Sequence, residues 1–218
     1  MKSFSHIGLS SDEAAKELDR FKKLLASQKD LSEKNDILPF FKRCKHLSTM
    51  FAMFNPNISS PDRIAMELNL FGDFACDLAV GDSSAHAYSL IEFEDARRNS
   101  VFQKGVKSTP EWGRRFEHGF SQLVDWFWRL EDQRTTNSFR TLFGDSNATF
   151  FGMLIIGRSG HLKPREVRRL EWRQEKVVIN SNKILCLTFD ELVRKLEKKL
   201  ADYPRVVSRK GAKKLRKP

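Results

Sequence analysis

Apolar positions recur at helical spacing near the start of the chain. Ala15, Leu18, Phe21, Leu24 and Leu25 follow Ser10-Ser11-Asp12-Glu13, which reads as a capping box, and predict a first amphipathic helix. Ile37, Phe40, Phe41, Leu47 and Phe51 predict a second helical stretch, which Asn55-Pro56-Asn57 breaks. Ser60 followed by Pro61 resembles an N-cap with proline at the first helical position, predicting a short helix through Ile64, Leu68 and Leu70 that Gly72 stops. The pattern then changes to two short apolar runs, 74–80 and 87–94, joined by Gly81-Asp82-Ser83-Ser84, which predict paired strands.

The second half continues in larger units. Residues 95–108 form a cationic loop with little periodicity, and Thr109-Pro110 predicts the start of a long helix with the stripe Trp112, Phe116, Phe120, Leu123, Phe127 and Leu130. Residues 148–158 predict a buried strand, 163–175 a strongly charged helix, and Ile184-Leu185-Cys186-Leu187 another strand. Thr188-Phe189-Asp190-Glu191 is a second capping box, opening a helix to about Leu200. Alternating strands and helices predict an α/β sheet with helices on its faces, preceded by an N-terminal helical segment over 1–58.

Three carboxylates interrupt the strand pair. Asp77 lies inside one apolar run and Glu92 and Glu94 near the end of the other, places from which burial ordinarily excludes charge. Glu92 and Glu94, two apart, project to one face of a strand. Converging carboxylates are tolerable around a cation, and hard oxygen ligands suit Mg²⁺ or Mn²⁺. Without a cation, Asp77 and Glu92 would be hydrogen-bonded polar residues at a sheet end.

Charge adds a partner class. The formal net charge is +11, and Arg205, Arg209, Lys210, Lys213, Lys214, Arg216 and Lys217 contribute seven cations with no acid in 205–218, leaving +4 on the remainder. This points to a polyanion such as DNA, with the tail either a nucleic-acid grip or a solubilising end. Glu166, Glu171 and Glu175 intersperse the basic residues of 163–173, which reads as a solvated helix face. Cys44, Cys76 and Cys186 form no CxxC and read as reduced core residues of a cytoplasmic protein without a zinc site. The N-terminus has no signal-peptide pattern, and the most apolar segment, 148–157, is too short to span a membrane.

The order of helix, Asp-bearing strand, Glu-bearing strand and helix resembles the PD-(D/E)xK nuclease core. Within it, Leu70 to Asp77, Ile91-Glu92-Phe93-Glu94, Phe116 to Trp126 and Leu187 to Leu192 are similar to the Shedu family of bacterial antiphage nucleases, over roughly 31–200. The resemblance implies a restriction-endonuclease-like mixed sheet in a nuclease domain over 59–204. It implies Asp77 and Glu92 as metal ligands, the Phe93 carbonyl as a third, and Mg²⁺ or Mn²⁺ as cofactor for DNA hydrolysis. Gln122 and Trp126 match a site-arranging pair, and Glu67, expected on the helix before the first strand, matches an accessory acid.

The chain departs from the PD-(D/E)xK pattern at Glu94, where that pattern has lysine. Either Glu94 is a further metal ligand, which its shared face with Glu92 favours, or a cation comes from elsewhere, Lys104 being the preferred substitute, or catalysis has been lost. The last case leaves an inactive nuclease fold that binds nucleic acid or a partner protein. His118 shares the Gln122 face, and the resemblance gives it no role. Family members often oligomerise, so a homo-oligomer is a further expectation.

Overall fold

In the computed structural model, which describes residues 3–106 and 108–203, helices cover both faces of a mixed seven-stranded sheet. The expected basic-tail residues Arg205 to Lys217 lie outside the described residues. The strands are β1 Ser5–His6, β2 Arg63–Leu70, β3 Phe74–Asp82, β4 Ala87–Phe93, a separate pair β5 Phe102–Gln103 and β6 Glu111–Trp112, then β7 Thr149–Ile155, β8 Val178–Ile179 and β9 Asn182–Leu187. The helices are α1 Ser11–Ser27, α2 Leu38–Arg43, α3 Lys45–Thr49, α4 Arg114–Gln133, α5 Asn137–Phe143, α6 Pro164–Lys176 and α7 Phe189–Asp202. Sheet order is β1-β2-β3-β4-β7-β9-β8, with β4, β7 and β9 parallel and the other pairs antiparallel.

Both capping boxes' serine and threonine cap as the sequence suggests. Ser10 Oγ accepts from Glu13 N at 3.3 Å, and Thr188 with Glu191 forms the reciprocal box that opens α7. The parallel strands β7 and β9 are apolar runs because helices cover them on both sides. On one side α1, α2, α3 and α7 pack on Leu78, Val80, Ile91, Phe93, Met153 and Ile155, and the Phe41 ring stacks on Phe93 at 4.6 Å. Residues of the N-terminal segment thus share one core with the sheet. On the other side α4, α5 and α6 pack on Ala79, Tyr88, Leu90 and Leu154.

The structure corrects three expectations. The segment through Ile64, Leu68 and Leu70 is strand β2, not a helix, and pairs along β3 from Arg63–Gly81 to Leu70–Phe74. Ile64 and Leu68 mimic a helical stripe, but the available partner strand decides the conformation. Ser60 caps nothing; its N–H donates to Asp82 Oδ2 at 2.8 Å, while Asp62 Oδ1 accepts from Ser83 N at 2.8 Å, so this acid-laced corner pins β2 to the β3–β4 turn. Gly72 (φ +90°) follows Phe71 (φ +60°) in the β2–β3 hairpin rather than ending a helix. The long helix starts at Arg114 with Gly113 as N-cap, because Glu111–Trp112 pairs with β5. The segment 1–58 is not wholly helical, since Ser5–His6 adds an edge strand to β2.

Candidate functional site

Strand β3 brings Asp77 beside the C-terminal end of β4. The pair Leu78–Ile91 fixes the register, and Phe93 N–H donates to Asp77 Oδ2 at 2.8 Å. Phe93 sends its ring into the opposite core, so Glu92 and Glu94 face α4, where they are 4% and 0% exposed. This is the carboxyl end of the parallel strands β4 and β7, where open α/β sheets leave a crevice for ligands.

Helix α4 closes the crevice with one stripe. Arg115, His118, Gly119 and Gln122 fall at i, i+3, i+4 and i+7. His118 Nδ1 lies 3.0 Å from Glu94 Oε1, and Arg115 Nη1 lies 3.2 Å from Glu94 Oε2. Gly119 permits the approach: a β-carbon there would meet Leu154 Cδ1 at 2.7 Å and Glu94 Cγ at 3.1 Å. A fourth and a fifth acid join from other segments. Asp95 Oδ1 accepts from Glu33 N at 2.8 Å, and Arg115 also bridges Glu33 Oε2 at 3.2 Å and Asp95 Oδ2 at 3.5 Å.

Electrostatics here are unbalanced. Burial pushes the Asp77 carboxyl up to about 7, against the Phe93 hydrogen bond that favours its charge. Burial and then the neighbouring Asp77 charge push Glu92 well above the carboxylate range. Burial raises Glu94 as well, opposed by the His118 hydrogen bond, and raises Glu33 against the pull of Arg115. Glu92 Oε2 is buried with no hydrogen-bond partner among the described residues. A buried carboxylate oxygen without a donor is costly, and a cation would offset it. One ligand atom each from Glu92, Glu94 and His118 lie within 4.8 Å of one another, a grouping that offers two oxygens and an imidazole nitrogen to a metal.

The expected residues divide. Glu92 and Glu94 come together with His118, and Asp77 lies beside Glu92 on the neighbouring strand, held by the Phe93 N–H. Gln122 lies on the closing stripe with its Oε1 buried and unpartnered, while Trp126 is fully buried in the α4-side core, its Nε1 likewise unpartnered among the described residues. Glu67 sits on β2, not on a helix, opposite Asp77 between the pairs Met66–Leu78 and Leu68–Cys76. Its φ of +51° interrupts the strand's alternation, and Lys42 Nζ pairs with its Oε2 at 3.1 Å. Lys104 lines a different cleft, with Arg98, Gln103, His161 and Lys163, and the cation that meets Glu94 is Arg115. Arg115, His118 and Glu33 were not legible as site residues. The only sequence signal was the helical spacing of Arg115 and His118 ahead of Gln122.

A buried carboxylate cluster at a sheet's carboxyl end, closed by one helix, defines a candidate metal-binding centre of an α/β protein. The family model for Shedu protein SduA, C-terminal, matches residues 30–193, and the chain belongs to that family. A search of the curated proteins found no match. Among the described residues, no helix is long and apolar enough to cross a membrane.

Proposed function

We propose that this protein is a divalent-metal-dependent nuclease with a restriction-endonuclease-like core, hydrolysing DNA phosphodiesters in antiphage defence. The observation that carries the reading is the cluster of Glu92, Glu94 and His118 with Asp77 beside it on β3, where Glu92 Oε2 is buried and unpartnered among the described residues. The donor set fits Mg²⁺ or Mn²⁺: carboxylate oxygens dominate, and His118 adds a nitrogen that Mn²⁺ accepts. Asp77, Glu92 and Glu94, with the Phe93 carbonyl, would hold the ion. Bound there, it would supply Lewis-acid polarisation of a phosphate and acidify a water.

The chain's own residues do the rest. Burial pushes both Asp77 and Glu92 towards their protonated forms, and a cation held there would favour the charged forms, so loading would couple to deprotonation. Arg115 pairs with Glu94, the residue at the pattern's lysine position; its guanidinium is half-exposed and can turn towards a phosphate while remaining charged. Gln122 offers an amide to the same crevice. The basic tail adds phosphate contacts independent of sequence.

Incubating the full chain with linear and circular DNA in Mg²⁺, Mn²⁺ or chelator tests the reading. Cleavage restricted to the metal arms, and lost in Glu92→Gln, is the expected result. One observation favours the runner-up, an inactive nuclease fold that only binds: both Glu94 oxygens are already engaged, by His118 and Arg115. Absence of cleavage with no metal-dependent rise in melting temperature would select it.

A further inference from the structure

Away from the acids, α6 and the β5–β6 pair build a second feature. Four rings stack in series: Phe102 on Trp112 at 4.5 Å, Trp112 on Phe116 at 4.5 Å, and Phe116 on Phe120 at 5.8 Å. Two arginines of α6 lie along this ladder. Arg169 sits 4.8 Å from the Phe102 ring and donates to the Pro110 carbonyl at 2.6 Å. Arg173 sits 4.3 Å from the Phe120 ring and forms a two-pronged ion pair with Glu117 at 2.7 and 3.0 Å. Both are used in holding α6 to the fold.

Arg165 and Arg168 are different. They are exposed, and among the described residues neither makes an ion pair. With Trp172 they occupy i, i+3 and i+7 of α6, and Trp172 is 62% exposed, an unusual state for a side chain of that size. Trp112, Arg165, Arg168, Arg169 and Trp172 line a cleft of about 510 Å³. No acid is among its lining residues, and Glu166 is turned into its own helix cap. The tertiary structure brings Arg165, Arg168 and Trp172 of a mixed-charge helix beside Trp112.

We infer that the Trp172–Arg165–Arg168 cleft of α6 is a binding site for single-stranded nucleic acid, with a base stacked on the Trp172 indole and the flanking phosphates on Arg165 and Arg168. The charge of the cleft selects a polyanion. The open indole selects one with flat rings, because an acidic peptide would satisfy the arginines and leave the indole wet. Bases inside a duplex are stacked on each other and cannot reach an indole, so an unpaired strand is the form that fits. The inference goes beyond DNA hydrolysis and does not depend on it, because binding is measured with the metal removed.

The test is fluorescence anisotropy of the full chain in chelator, with a labelled 12-nucleotide thymidine oligomer, an abasic oligomer of equal length, and a polyglutamate competitor. Trp172→Ala should weaken thymidine-oligomer binding about 5- to 150-fold and leave abasic binding unchanged, the span expected for one lost base stack. Trp172→Phe should recover part of the loss, and Arg165→Ala with Arg168→Ala should weaken both oligomers and flatten the dependence of affinity on salt. The exposure of all three side chains keeps these variants folded, which a thermal melt verifies. Equal affinity of the parent for abasic and thymidine oligomers, or no effect of Trp172→Ala, would overturn the site. So would Trp172-dependent competition by polyglutamate, which would assign the cleft to an acidic protein.

Discussion

Strand β3 carries two acids, five residues apart, in opposite states. At its C-terminal end Asp82 is 1% exposed, yet its carboxylate accepts from Ser59 N, Ser60 N, Ser84 N and Ala85 N and from the Ser84 hydroxyl. Burial alone would raise its pKa, but the Ser84 hydroxyl and these amides outweigh it and hold the carboxyl at about 2. Asp77 has one backbone donor, shares its surroundings with Glu92, Glu94 and Glu33, and sits at about 7. Asp82 is a finished structural joint that ties 59–62 to the β3–β4 turn. Asp77 and Glu92 lack such a set of donors, and under the proposed function a cation would complete the joint.

If that contrast is functional, neutralising the two ends should have opposite consequences. The largest effect is expected for Glu92→Gln or Asp77→Asn on DNA cleavage: a loss on the order of 10³-fold, since a metal's charge stabilisation is worth several kcal/mol. Initial rates in Mg²⁺ and Mn²⁺ measure it, and a folded double variant cutting at the parent rate would end the site assignment. Next is Asp82→Asn, which turns an amide nitrogen towards donors and should lower unfolding free energy by about 2–3 kcal/mol at pH 7, read by urea denaturation. Because its folded pKa is depressed from 3.8 to about 2, the Asp82 contribution is present above about 4 and is lost as pH falls through 2.

The third effect has the reverse sign. Asp77 is raised from 3.8 to about 7, so the native state holds the extra proton between those values and metal-free stability falls as pH rises through that window. Asp77→Asn should therefore stabilise the metal-free protein at pH 8 by about 1–2 kcal/mol, roughly 2–8 °C in melting temperature, with the gain vanishing below about pH 4. A variant less stable than the parent at pH 8 would place Asp77 with Asp82, as structure. The smallest effect concerns Arg115. Arg115→Ala should cost about tenfold in cleavage and ~1 kcal/mol or less in stability, because its ion pairs are half-exposed. Arg115→Lys should restore most of the cleavage.

Much of this was readable locally. The strand pair, the carboxylates within it and the α4 stripe follow from alternation and helical spacing, which act within a few residues. The same local reading turned β2 into a helix, because Ile64 and Leu68 satisfy both periods and only the pairing with β3 separates them. It placed Glu67 on that helix, and it chose Lys104 for the missing cation because Lys104 is close in sequence to Glu94. It also took the arginines of α6 for an evenly solvated face, whereas the fold collects Arg165, Arg168 and Trp172 beside Trp112.

The amino-acid sequence by itself determined the α/β alternation, the two capped helices α1 and α7, and the family, through short motifs whose order survives in the chain. It also placed Asp77 and Glu92 on adjacent strands with Glu94 just past the second, since period-two geometry is intrinsic to the backbone. The tertiary structure decided what surrounds them. Glu33 arrives through the Leu31–Ala96 bridge, and Arg115 and His118 arrive only because Gly119 lets α4 settle against Leu154 and Glu94. These contacts join residues up to 82 positions apart, and no local propensity encodes them. They exist because burying both faces of one sheet fixes where each helix must lie.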